Sequence, residues 1–223
     1  MWLNRLLKFL FFMLIVRPLV LIYIGLNVRN RERLPTRGPA LLVANHNSHL
    51  DTMVLMSLFP NWMLPQIRPV AAADYFLSGP FKSWLSQKVI GIIPLSRKGD
   101  GKTAAEKLSP ISDVLNDEQI VIFFPEGTRG EAERIGRFKK GIGMMAKLHP
   151  EVPVIPIYLH GLGKALPRGE SVLVPFFCDV FVGEPMYAGE LDAAAFSEKV
   201  REQILAMVPG NAKKAEEDHD LYF

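Results

Sequence analysis

Six short, β-rich apolar runs alternate with longer amphipathic stretches, and this alternation leaves few architectures open to the chain. The runs are PALLVAN (39–45), RPVAAA (68–73), VIGIIPL (89–95), QIVIFFP (119–125), VPVIPIYL (152–159) and CDVFVG (178–183). Valine, isoleucine and phenylalanine dominate them, and glycine, proline or polar clusters bound them, which marks them as strands. Helices are expected between them over 51–59, 79–87, 102–116 and 138–148, with a last one over 192–208. Strand–helix alternation predicts an α/β fold with a mostly parallel central sheet flanked by helices. Ligands of such sheets bind beyond the carboxyl ends of the strands. Polar clusters that follow the runs are therefore the places to look for chemistry. A chain of 223 residues suffices for one such domain with its own core.

The N-terminus reads differently. Residues 9–26, FLFFMLIVRPLVLIYIGL, are apolar apart from Arg17–Pro18 and Gly25. As one helix these 18 residues would measure about 27 Å, close to the hydrocarbon thickness of a bilayer. No small-residue cleavage site follows, as a signal peptide would require; RNRERLPTR does. A single span would place Arg17 near the bilayer centre at a cost of about 3 kcal/mol, and Pro18 would break the helix there. Basic residues also flank both ends, so charge assigns no orientation to a crossing. Two short apolar helices that dip into one leaflet and return account for all three features, with a true span as the rival. The expected organisation is a membrane-embedded helical hairpin and basic linker over 1–34, the α/β domain over 35–210, and a charged, disordered tail over 211–223.

Charge distribution supports a lipid partner. Residues 1–37 carry seven basic side chains and one acid, Glu32, so this arm is net +6 in a protein of net +3. A basic arm on a mildly acidic body points to an anionic surface. The apolar residues between the charges select lipid headgroups, and no nucleic acid is expected. The lone cysteine, Cys178, fits a reducing compartment and lies in PFFCDVFVG, where a buried structural role is expected.

Three polar clusters follow runs. In NHNSHLD, between PALLVA and DTMVLMSLF, Ser48-His49-Leu50-Asp51 matches a helix capping box. On that reading Asp51 caps a helix and His46 merely ends a strand. The other reading is catalytic: an imidazole oriented by a carboxylate is what a general base near neutral pH requires. The second cluster is GIIPLSR, ending in Arg97; the third is FFPEGTRG, which places Glu126, Thr128 and Arg129 in a glycine-bounded turn, with Arg137, Lys139 and Lys140 following. Glycine lets backbone approach a ligand closely, and arginine offers a fork matched to phosphate oxygens. A fourth segment, VPVIP (152–156), carries no reactive group and supplies rigid apolar wall. His46 and His49 could be two metal ligands, but no third accompanies them at suitable spacing, and no metal is expected.

NHNSHLD, GIIPLSR, FPEGTRG and VPVIP, in this order, resemble the four motifs of the glycerolipid acyltransferase family, and most nearly its bacterial 1-acyl-sn-glycerol-3-phosphate (lysophosphatidic acid) acyltransferases. The resemblance covers about residues 35–185. It implies that His46 deprotonates an acceptor hydroxyl and that Asp51 orients it. It implies further that Arg97, Glu126, Gly127 and Arg129 bind a glycerol phosphate acceptor, with Thr128 lining the same turn and Lys139 a further phosphate ligand. VPVIP would help to shape an acyl-binding part. The co-substrate implied is an acyl thioester, acyl-CoA or acyl carrier protein, with no cofactor; the location implied is the cytoplasmic face of a cell inner membrane. The second motif departs from the family in having Pro94 where an aromatic or aliphatic residue is common. The absence of a G-x-S-x-G elbow favours direct transfer over a serine nucleophile. Glycerol 3-phosphate or another lysolipid as acceptor, a lysophospholipid hydrolase, and a noncatalytic phospholipid binder are the alternatives.

Overall fold

The computed structural model describes residues 2–48, 50–73, 79–96, 101, 103–130, 134–166, 174 and 176–210. The described residues form one sheet of seven strands: β1 (Leu26–Arg29), β2 (Ala40–Ala44), β3 (Ile67–Ala72), β4 (Ile93–Leu95), β5 (Ile120–Phe123), β6 (Val154–His160) and β7 (Cys178–Val182). The strand order is β1-β7-β6-β2-β5-β3-β4. Every neighbouring pair is parallel except β6–β7. The helices are α1 (Trp2–Phe11), α2 (Leu50–Ser57), α3 (Pro80–Trp84), α4 (Ala104–Asn116), α5 (Gly141–Leu148), α6 (Leu162–Ala165) and α7 (Ala193–Ala206). The α/β fold with a mostly parallel sheet is as expected.

The central strands explain why their sequences are unbroken apolar runs. All five residues of β2 and all four of β5 are buried, because both sheet faces are covered. Leu41, Val43, Val121, Val154 and Tyr158 face a layer that includes Ile111 of α4, Met145 of α5 and Phe196 of α7. Ala40, Leu42, Ile122, Ile155 and Ile157 face α2 and the N-terminal segment. Each fully buried Leu or Ile contributes about 2 kcal/mol.

The N-terminal segment departs from a hairpin. Arg17 (φ −65°) and Pro18 (φ −57°) both keep right-handed helical backbone, so the chain does not reverse there. Pro18 lacks an N–H and crowds the preceding turn; wide π-helical turns at Phe12–Val16 and Leu19–Tyr23 absorb it. Lys8, Phe12, Val16, Val20 and Ile24, every fourth residue, are buried against the body. Arg17 turns inward too: its Nη2 donates to the Phe59 carbonyl at 2.7 Å, while Arg31 Nη2 donates to Leu58 at 2.7 Å. The two guanidiniums thus cap the negative end of α2 and tie the segment to the body. Lys8 Nζ donates to the Ile90 and Ile67 carbonyls at 2.9 and 3.3 Å. Burial, with Arg68 nearby, lowers that amine from 10.5 to about 7. The opposite side of the segment is open: Leu14, Leu21 and Ile22 are 70 %, 67 % and 83 % exposed. No helix among the described residues is long and apolar enough to cross a membrane.

Two boundaries also differ. Leu26–Arg29, inside the segment assigned to anchor and linker, is the edge strand β1 and pairs with β7. Its alternate residues are outside the core, so no apolar run advertises it. Within VIGIIPL, Val89 and Ile90 close a π-helical turn (Leu85–Ile90) that ends at left-handed Gly91, and only Ile93–Leu95 is strand. The 211–223 tail lies outside the described residues.

Candidate active site

Parallel β2 and β5 lie side by side, and β6 flanks β2 in the same direction, so their carboxyl ends share one rim. Just beyond β2, the fully buried Asn45 extends the sheet through its side chain. Its Nδ2 donates to the Leu159 carbonyl at 2.9 Å, and the Leu159 N–H donates to its Oδ1 at 2.7 Å. This amide mimics one more peptide pair and fixes where the next residue starts. Sequence reasoning noted Asn45 only as one polar residue of the loop.

That next residue is His46. Its Nδ1 lies 2.9 Å from Asp51 Oδ2, and the same oxygen accepts the backbone N–H groups of Asn47 and Ser48 at 2.7 and 2.9 Å. Asp51 is fully buried in the first turn of α2, where the amide dipoles favour a carboxylate. Ser48 Oγ accepts the Leu50 N–H at 3.3 Å. The capping and catalytic readings of NHNSHLD are therefore one arrangement: the carboxylate that closes the helix start also orients the imidazole. With Nδ1 facing the carboxylate, the neutral ring carries its proton there and presents Nε2 as the acceptor. Nε2 has no hydrogen-bond partner among the described residues. The ring stacks on Phe124 with centroids 4.2 Å apart, and the side chain stays 20 % exposed.

The turn after β5 grips His46 by its backbone. Glu126 Oε1 accepts the His46 N–H at 3.0 Å, and the Gly130 N–H donates to the His46 carbonyl at 2.9 Å. Glu126 Oε2 accepts the Gly136 N–H at 3.4 Å. Burial raises this carboxyl above its ordinary 4.5, against the lowering pull of the two amides. Both oxygens of Glu126 are thus hydrogen-bonded to backbone, and the side chain clasps two loops.

The cations stand apart from this clasp. Gly127 is left-handed (φ +75°), and a side chain there would strike the Lys139 ammonium lying over it. The Lys139 N–H is tied to the Pro125 carbonyl at 2.9 Å, which places Lys139 on the same turn as Gly127. Thr128 is exposed and Arg129 half-buried; among the described residues neither Arg129 nor Lys139 forms an ion pair. Arg97 and His49 lie outside the described residues. VPVIP does not reach the rim. Pro156 pairs with Val43 and Val154 with Leu41, so residues 154–156 sit in the sheet about 10–17 Å upstream of His46 along the strand direction, and residues 152–153 precede the strand.

Residues 25–160 match the family model described as Acyltransferase. The chain is 32 % identical over 168 residues to a chloroplast 1-acyl-sn-glycerol-3-phosphate acyltransferase of Brassica napus, covering 74 % of this chain and 46 % of that protein. It is 27 % identical over 189 residues to the human 1-acyl-sn-glycerol-3-phosphate acyltransferase alpha, covering 82 % of this chain and 64 % of that one. It therefore spans about half to two thirds of the length of these relatives. A crystal structure of a Thermotoga maritima 1-acyl-sn-glycerophosphate acyltransferase superposes with a TM-score of 0.70 at 20 % identity, covering 89 % of this chain and 76 % of that one. At that identity the likeness is one of fold.

Proposed function

The chain belongs to the acyltransferase family, and from that premise we propose that it moves a fatty acyl group from a thioester to the sn-2 hydroxyl of 1-acylglycerol 3-phosphate, giving phosphatidic acid. The observation that carries this reading is the 2.9 Å contact of His46 Nδ1 with a buried carboxylate, which leaves Nε2 open at the rim. Nε2 takes the proton of the acceptor hydroxyl as its oxygen attacks the thioester carbon. Asp51 stabilises the imidazolium that forms. Collapse of the tetrahedral intermediate breaks the C–S bond, and the departing thiolate recovers the proton from Nε2. The ester and the free thiol are the products, and the imidazole is neutral again.

Arg129 and Lys139, beside left-handed Gly127, suit the acceptor phosphate: a fork and a point charge with close access to backbone. Arg97 is assigned to the same phosphate by motif. Orienting the hydroxyl against the thioester carbon supplies much of the acceleration. The outward apolar side of the N-terminal segment, with Leu14, Leu21 and Ile22, is assigned to one leaflet of the membrane. Its inward stripe is committed to the body, so the segment lies along the surface instead of crossing. We place the enzyme on the cytoplasmic face of the cell inner membrane, with acyl-CoA or acyl carrier protein as donor.

An acceptor panel of lysophosphatidic acid, glycerol 3-phosphate and other lysolipids, assayed for free thiol with both donor types, tests the assignment. Lysophosphatidic acid should accelerate release most. If no acceptor raises release above the water blank, the transferase reading fails.

A further inference from the structure

Most exposed large apolar side chains among the described residues belong to the N-terminal segment, but the most exposed one does not: Phe177 is 84 % exposed, ahead of Ile22 at 83 %. Phe177 is not a stray. A Cβ built on Gly25 would lie 3.0 Å from its ring, so the ring rests on the chain three residues after Ile22. Phe176 is held from the other side: a Cβ on Gly161 would lie 3.1 Å from its ring and closer still to the Phe177 carbonyl. Gly25 and Gly161 are both left-handed, and the lack of a Cβ at each leaves room for an aromatic ring close to the backbone.

The pair also adjoins the catalytic loop. Gly161 opens α6, Val174 N–H donates to the Ala165 carbonyl at 2.9 Å, and Ser48 Oγ donates to the Leu166 carbonyl at 3.3 Å. An unbroken set of contacts thus runs from Ser48 through α6 to Phe176–Phe177 and on to Gly25. Val174, 49 % exposed, lies on the same edge. Lys164 Nζ stands 5.6 Å from the Phe176 ring centroid, so a cation borders the apolar patch. Apolar rings with a flanking lysine match the boundary between acyl chains and anionic headgroups. Such a patch costs solubility unless something covers it.

We propose that Phe176 and Phe177 form a second bilayer contact, separate in sequence from the N-terminal segment, which inserts beside the active-site mouth and sets its height on the leaflet. The occupant is an anionic phospholipid surface. The proposal rests on the membrane reading of the N-terminal segment, and its test separates the two. Phe177→Trp, Ile22→Trp and Tyr187→Trp are each placed in the full chain after Trp2, Trp62 and Trp84 are changed to Phe. Tyr187 adjoins Met186, which bridges to Val154 at the start of β6, about 20 Å from the Gly161 end. Vesicles of phosphatidylethanolamine and phosphatidylglycerol, with and without brominated acyl chains, are then added.

The expected result is a blue shift and bromolipid quenching at positions 177 and 22 and neither at 187. In the otherwise natural chain, Phe177→Ser should weaken vesicle partitioning roughly tenfold, with turnover of a short-chain, water-soluble acceptor unchanged. Response at 22 without response at 177 overturns this proposal and leaves the N-terminal reading standing. No response at either position overturns both, and an equal response at 187 shows adsorption without a defined face and overturns the proposal. If the tryptophan-free chain does not fold, an environment-sensitive fluorophore attached in turn through Phe177→Cys, Ile22→Cys and Tyr187→Cys reads the same outcomes, since Cys178 is fully buried.

Discussion

The loop after β2 and the turn after β5 are neighbours on one rim, yet they are built on opposite plans. Around His46 almost everything is bound: Asp51 Oδ2 takes a ring nitrogen and two amides, and Asn45 and Glu126 fix the backbone on either side. Around Gly127, among the described residues, neither Arg129 nor Lys139 forms an ion pair, with Lys139 exposed and Arg129 half-buried. On the proposed reading, with His46 as the base and the Gly127 turn as the phosphate site, the difference follows from what each must do. A base is effective only if its geometry exists before the substrate arrives, since reorganisation during reaction adds to the barrier. A phosphate site faces the reverse problem, because its ligand brings the compensating charge. Cations desolvated in advance, with no anion present, would be costly.

Breaking the bound side should cost most. His46→Ala is expected to lower kcat about 10³-fold while changing stability by less than about 1 kcal/mol, measured by thiol release and by chemical unfolding. Asp51→Asn strikes both functions of the loop. It should lower kcat about 10²-fold and remove about 2 kcal/mol of stability by weakening the ring bond and the two amide bonds. A catalytic loss with unchanged stability would mean that Asp51 does not cap the helix.

Breaking the open side should look different. Arg129→Ala is expected to raise the acceptor KM roughly 30-fold, from a charged hydrogen bond of about 2 kcal/mol, and to leave the donor KM and the unfolding midpoint unmoved. Equal effects on both substrates would place Arg129 elsewhere. The smallest effect belongs to the clasp that joins the two sides. Glu126→Gln keeps an acceptor for the His46 N–H and should lower kcat only about threefold to tenfold. Its signature is in pH. The folded carboxyl is raised above 4.5, so the folded state holds the proton more tightly than the unfolded one. That stabilisation is complete below 4.5 and is lost as pH rises through the folded value. Unfolding curves of the wild type should show this decline, and those of Glu126→Gln should lack it.

Much of this was legible without coordinates. Strand β2 could be read because a central parallel strand is buried on both faces and must be apolar throughout, and the same holds for β5 and β6. That NHNSHLD and FPEGTRG share one rim could be read because polar residues that follow parallel strands gather at their carboxyl ends. The edge strand β1 escaped notice because only alternate residues touch the core. Arg17 misled for a related reason: its charge was visible, but its direction was not, and the carbonyl it serves belongs to Phe59, 42 residues away.

The amino-acid sequence alone determined most strands and helices of the body, edge strand β1 and the start of VIGIIPL excepted, because periodicity and side-chain chemistry act locally. Tertiary structure alone decided who meets whom. Strand order put the turn of β5 against the loop of β2, so that Glu126 reached the His46 backbone across 80 residues and Asn45 reached Leu159 across 114. Register set VPVIP upstream of the rim, and helical backbone at Pro18 turned an expected hairpin into a segment pinned along the body. These outcomes depend on pairings between distant elements. Each is set by the joint packing of all the layers, and no local pattern carries that information.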